Sequence, residues 1–107
     1  MQTRFTLRQL EYLVAVGRFG SISLGAEHLA VSPPSISNAI SQLEAEFGLP
    51  LFVRKHAQGM ALTQSGRALM AQAVQVLEAA KALSNAADLH KGTVRGELNV
   101  GCLLTFA

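Results

Sequence analysis

Charge is scarce in this chain: 15% of its 107 residues are charged, and it has no Trp, one Tyr, three Pro and one Cys. A lone thiol, Cys102, excludes a disulfide framework within the chain. His28, His56 and His90 are scattered with one distant Cys, so they lack metal-ligand spacing and no metal is expected. No apolar run reaches the ~18 residues that cross a bilayer. The N-terminus lacks the basic and apolar blocks of a secretory signal. The expectation is a soluble protein of the reducing cytoplasm, with no membrane partner. Catalytic patterns are also missing, because Cys102 has no neighbouring base and there are no paired carboxylates and no Gly-rich phosphate loop. Neither an enzyme nor a bound cofactor is expected.

One absence is local. From Gly20 to Gly48 there is no Lys or Arg, and the formal charges are Glu27, Glu44 and Glu46 alone. The net charge of +2 and the pI near 9.1 permit a polyanionic partner without requiring one. Phosphate attraction must come from flanking cations such as Arg4, Arg8, Arg18, Arg54 and Lys55.

Half the residues are apolar, which fits an Ala- and Leu-rich helical domain with one appended element. Thr6 and Gln9 form a capping-box pair, and Leu7, Leu10, Leu13, Val14 and Gly17 follow at helical spacing. The first helix should end near Arg18 to Gly20. Ser21 and Ser23 offer N-caps for a second, short helix with Ile22, Ala26 and Leu29 inward, ending about Ala30. Ser32 caps a third helix with Pro33 at its first position, where the missing N–H is harmless, and Pro34 still in the first turn. Ile36, Ile40, Leu43 and Phe47 lie on one stripe, and Gly48 supplies the stop.

The opposite face of that helix carries Pro34, Asn38, Ser41 and Ala45, flanked by Ser35, Ser37 and Gln42. An ordinary solvated face usually holds Lys and Glu. A small, uncharged, hydrogen-bonding face after a tight turn suits close approach to a DNA major groove. Ser32 and the free N–H groups beside it are candidates for a phosphate, as are Ser21, Ser23 and Thr63, whose capping role competes. Leu51 to Arg54 and Met60 to Leu62 read as a hairpin, or wing, around a basic tip. Arg54, Lys55, His56 and Gln58 are placed there to reach sugar and phosphate.

Thr63 opens a long helix toward His90. Leu69, Ala73, Val76, Ala80, Leu83 and Ala87 recur at alternating spacings of four and three, a heptad seam that a small domain does not bury alone. A homodimer through this helix is expected. Lys91 to Gly96 reads as a linker and Glu97 to Leu104 as a strand with Leu98, Val100 and Cys102 on one side. A lone strand has no sheet to join, so the chain is expected to be the front part of a longer protein. The expected organisation is 1–62, a winged helix-turn-helix; 63–90, the linker helix; and 91–107, a hinge and first strand.

The segments LRQLEYLVAV, GSISLGAEHLAVSPPSISNAISQLEAEFG, LPLF and LTQSGRAL together resemble the N-terminal region of LysR-type transcriptional regulators. The resemblance covers nearly the whole chain and implies a mainly α winged helix-turn-helix with a long dimerisation helix. It implies sequence-specific binding of double-stranded DNA, with Ser32 to Phe47 as the recognition helix in the major groove. It further implies a wing at the backbone or minor groove and long helices paired antiparallel, with higher oligomers open to a full-length parent. GELNVG resembles the first strand of the family's effector domain, so a small-molecule inducer would act only through a domain beyond this chain. Arg54 stands where the family carries Arg and is alternatively a brace for the fold. Pro33, Gly25 and Asn38 depart from the family's frequent Gln, Ala and Arg. Asn38 is suited to adenine N6 and N7, and Pro33, Pro34 or Ala45 to thymine methyls. The alternative reading is a winged helix that serves as a protein-interaction module.

Overall fold

The computed structural model describes residues 4–55 and 59–95. Helices α1 (Leu7–Phe19), α2 (Ile22–Leu29) and α3 (Pro33–Phe47) are followed by strands β1 (Phe52–Arg54) and β2 (Met60–Leu62) and then helix α4 (Gln64–Arg95). This is a mainly helical winged helix-turn-helix with a long C-terminal helix. His56, Gln58 and the expected strand from Glu97 to Leu104 lie outside the described residues.

The local signals act as chemistry requires. Thr6 Oγ1 accepts the Gln9 N–H at 3.1 Å while Gln9 Oε1 accepts the Thr6 N–H at 2.9 Å, closing the capping box at α1. Gly20 and Gly48 end α1 and α3 at φ 67° and 69°, in the left-handed region open to glycine. Between α2 and α3 the same conformation falls to Ala30, at φ 58°. Its N–H satisfies the carbonyls of Ala26 and Glu27, which holds the tight turn despite the Cβ penalty.

One core gathers the apolar stripes. Leu13, Val16, Ile36, Leu43 and Leu51 are fully buried, bringing α1, α3 and the entry to the wing together. Each contributes about 1.5–3 kcal/mol by leaving water. The strands pair antiparallel with Phe52 opposite Leu62 and Arg54 opposite Met60. The Met60 N–H donates to the Gly20 carbonyl at 2.9 Å, fastening β2 to the turn after α1.

Two glycines allow close approach. A Cβ on Gly66 would collide with the Leu51 carbonyl oxygen, and one on Gly17 with Met70 Sδ. The first turns of α4 therefore sit against the domain, and the compact unit ends at Leu77. Two expectations change here. Ala73 is 3% exposed and belongs to this core, with Leu69 packed against it, so Ala73 is not free to face a partner. The reason is that small side chains at the start of α4 let the helix settle on its own domain. The segment from Lys91, read as a linker, instead continues α4 to Arg95, because Gly92 without a following proline weakens a helix without ending it.

In the second unit, from Glu78, the described side chains from Lys81 to Lys91 are all exposed, including Leu83 and Leu89 at 73% and 74%. Among the described residues no helix is long and apolar enough to cross a membrane.

Candidate nucleic-acid interface

The outward face of α3 follows from its buried stripe. With Ile36, Ala39, Ile40 and Leu43 inside, Pro34, Ser35, Asn38, Ser41, Gln42 and Ala45 stand exposed, and Ser37 is half-buried. Pro33 and Ser32 complete the exposed start of the helix. Ser32 Oγ accepts the Ser35 N–H at 3.4 Å and lies 2.8 Å from Ser35 Oγ. The two hydroxyls share one hydrogen bond, so one proton of the pair remains for an outside acceptor. Proline at the first two positions of α3 removes N–H groups there, which leaves the helix start with fewer backbone donors for an anion than most helices offer.

Ser21 caps α2 by accepting the Leu24 N–H at 3.2 Å, and Ser23 is exposed in its first turn. Thr63 is more constrained than the sequence implies. Its hydroxyl donates to the Pro50 carbonyl at 2.6 Å and accepts the Gly66 N–H at 2.8 Å. That leaves no hydroxyl proton for a phosphate, so Thr63 acts as a brace between the start of β1 and α4. This corrects its assignment as a contact residue.

The wing and α3 meet around one groove. Ser37, Ser41 and Glu44 of α3, Arg54 of β1, Met60 of β2 and Ile22 of α2 line an open cleft of about 300 Å³. Arg54 and Lys55 are both exposed, and the Lys55 N–H donates to the Gly59 carbonyl at 2.8 Å, closing the described end of the hairpin. Arg54 thus shares with the α3 serines a cleft that is also lined by Glu44 and the apolar Ile40 and Phe52.

Two residues that sequence reasoning left out shape this surface. Glu44, counted as one of the negative charges of the segment, turns its carboxylate to the wing and accepts the N–H groups of Leu51 at 2.8 Å and Phe52 at 3.4 Å. It fixes β1 against α3, and its charge is engaged by backbone donors. Gln9 of α1 donates from Nε2 to Gln42 Oε1 at 2.7 Å, tying α3 to α1. The capping box marked Gln9 as a local residue, and nothing in its spacing pointed to a partner 33 residues away.

The proposed partner seam has a mixed fate in exposure. Leu69 and Ala80 are half-buried, Ala87 is exposed, and Val76 and Leu83 are 40% and 73% exposed. Phe5, Leu10, Leu13, Phe47, Leu69, Ala73 and Val76 line an apolar groove of about 170 Å³ in the first unit. Phe5 and Phe47 pack there with their rings tilted by 57° and their centres 5.6 Å apart. Among the described residues no three His, Cys, Asp or Glu side chains are grouped to hold a metal ion.

Residues 7–67 match the family model for the bacterial regulatory helix-turn-helix protein, lysR family. The chain is 38% identical over 96 residues to the HTH-type transcriptional regulator BudR of Klebsiella aerogenes, covering 89% of this chain and 66% of that protein. Among solved structures, the CbnR_DBD–DNA complex is 33% identical with a TM-score of 0.75, covering 81% of this chain and 99% of that one. The oxidized form of Corynebacterium glutamicum OxyR is 30% identical with a TM-score of 0.74, covering 81% of this chain and 28% of the other. The chain spans 30–34% of the length of several other curated relatives.

Proposed function

Because the chain belongs to the LysR family of bacterial regulatory helix-turn-helix proteins, we propose that it binds double-stranded DNA sequence-specifically, as a homodimer, in the transcription machinery of the cytoplasm. Helix α3 enters the major groove through Pro33, Pro34, Ser37, Asn38, Ser41 and Gln42. Ser21, Ser23, Ser32 and Ser35 contact backbone at the helix starts. Arg54 and Lys55, with His56 and Gln58 beside them in sequence, follow the phosphates or the minor groove. Val76, Leu83 and Ala87 of α4 face a second copy.

The observation that carries this reading is the cleft that Ser37 and Ser41 share with Arg54. A major-groove helix and a backbone-tracking wing must be adjacent to engage one duplex together. CbnR_DBD, a similar domain, is bound to DNA in its solved structure.

The absence of Lys and Arg from α3 favours the protein-interaction alternative, and the wing discriminates between them. Arg54→Glu combined with Lys55→Glu is expected to weaken duplex binding at least tenfold in a fluorescence-anisotropy titration. Unchanged DNA affinity in that double variant would remove the wing from the interface and favour a protein partner.

A further inference from the structure

Gln42 has its side-chain orientation decided from outside its own helix. The Thr6 backbone N–H is a donor only, so the Gln9 group 2.9 Å from it must be the amide oxygen. The Gln9 NH2 then points the other way and donates to Gln42 at 2.7 Å, where only an oxygen can accept. Gln42 Oε1 is thereby turned toward α1, and its NH2 is the group left to bond a ligand. The side chain is exposed on α3, one turn beyond Asn38.

A free glutamine pairs with adenine by accepting from N6 and donating to N7, which uses both ends of the amide. In this arrangement the accepting end faces away. We infer that Gln42 is a donor-only reader selecting a keto base, guanine through O6 or thymine through O4, and that Gln9 is the positioning residue that sets this preference. An NH2 group facing adenine N6 or cytosine N4 meets another donor, and adenine leaves it N7 alone, whereas guanine offers both O6 and N7 and thymine offers O4, which gives the discrimination its sign. The inference rests on the DNA-binding reading above and adds to it a chemical preference at one operator position.

Gln9→Glu reverses the relay without removing the cap. One carboxylate oxygen still accepts the Thr6 N–H, as in the usual capping box. The other now requires a donor, so the Gln42 amide turns over and presents its oxygen outward. Gln9→Ala removes the constraint instead. The test is selection of bound duplexes from random DNA by the full chain and by Gln9→Glu, Gln9→Ala and Gln42→Ala, with thermal melting as the check on folding.

The unmodified chain should favour guanine or thymine at one position by about fivefold, the scale of one hydrogen bond in base readout. Gln42→Ala should erase that preference. Gln9→Ala should relax it and admit adenine, and Gln9→Glu should shift it to adenine or cytosine. A specific wild-type motif that stays the same in both Gln9 variants, or in Gln42→Ala, overturns the inference while leaving the proposed function standing. A wild-type chain that selects no sequence overturns both.

Discussion

Small changes at single residues have opposite expected signs, depending on what a methyl group meets. Gly66→Ala forces a Cβ into the Leu51 carbonyl, so it should cost about 2 kcal/mol or more in urea denaturation. Gly25→Ala places its Cβ 3.5 Å from Val16, an ordinary contact, within a helix where alanine is favoured. It should stabilise by about 0.5–1 kcal/mol. Glu44→Ala leaves the Leu51 N–H without its acceptor in a part-buried place and should cost about 1–3 kcal/mol. It should also loosen the wing and lower DNA affinity. At this scale the sequence was only partly legible. The caps Thr6, Ser21 and Ser32 were readable because they bond within three residues. Glu44, Gln9 and Thr63 act across the fold, on Leu51, Gln42 and Pro50, and no local spacing encodes such partners.

Apart from the end of α4, the elements were legible to within a residue or two because apolar periodicity and end signals agree. The stripe Ile36, Ile40, Leu43 and Phe47 fixes which side of α3 turns inward, and so fixes its polar face as well. The short strands were marked by Gly59 and flanking β-prone residues. The end of α4 was harder: Lys91 to Arg95 remain helical because helix loss needs a stronger breaker than one glycine. The start of α4 was misjudged for another reason. A heptad pattern records which residues are buried and does not say by whom, and Ala73 is buried by its own domain. At the element scale, Ser32→Ala should destabilise α3 by about 1 kcal/mol through loss of its cap. Thermal denaturation would record that loss, and anisotropy would record weaker duplex binding from the missing hydroxyl.

For the whole molecule, the account divides the work of binding. On the proposed reading, sequence is read by the polar face of α3, while attraction to phosphate comes from the wing and from pairing of two copies. Val76→Glu or Leu83→Glu should lower the dimer mass seen by sedimentation and, by removing the second half-site contact, weaken binding by tenfold or more. With Arg54 and Lys55 as the described cations beside the α3 groove, the slope of log affinity against log salt should be shallow, about −4 or smaller in magnitude for a dimer. The most direct test is the affinity of the unmodified chain for a duplex selected from random DNA compared with a scrambled duplex of the same composition, at moderate salt. The account predicts at least a hundredfold preference for the selected duplex. Equal affinities for the two would contradict it.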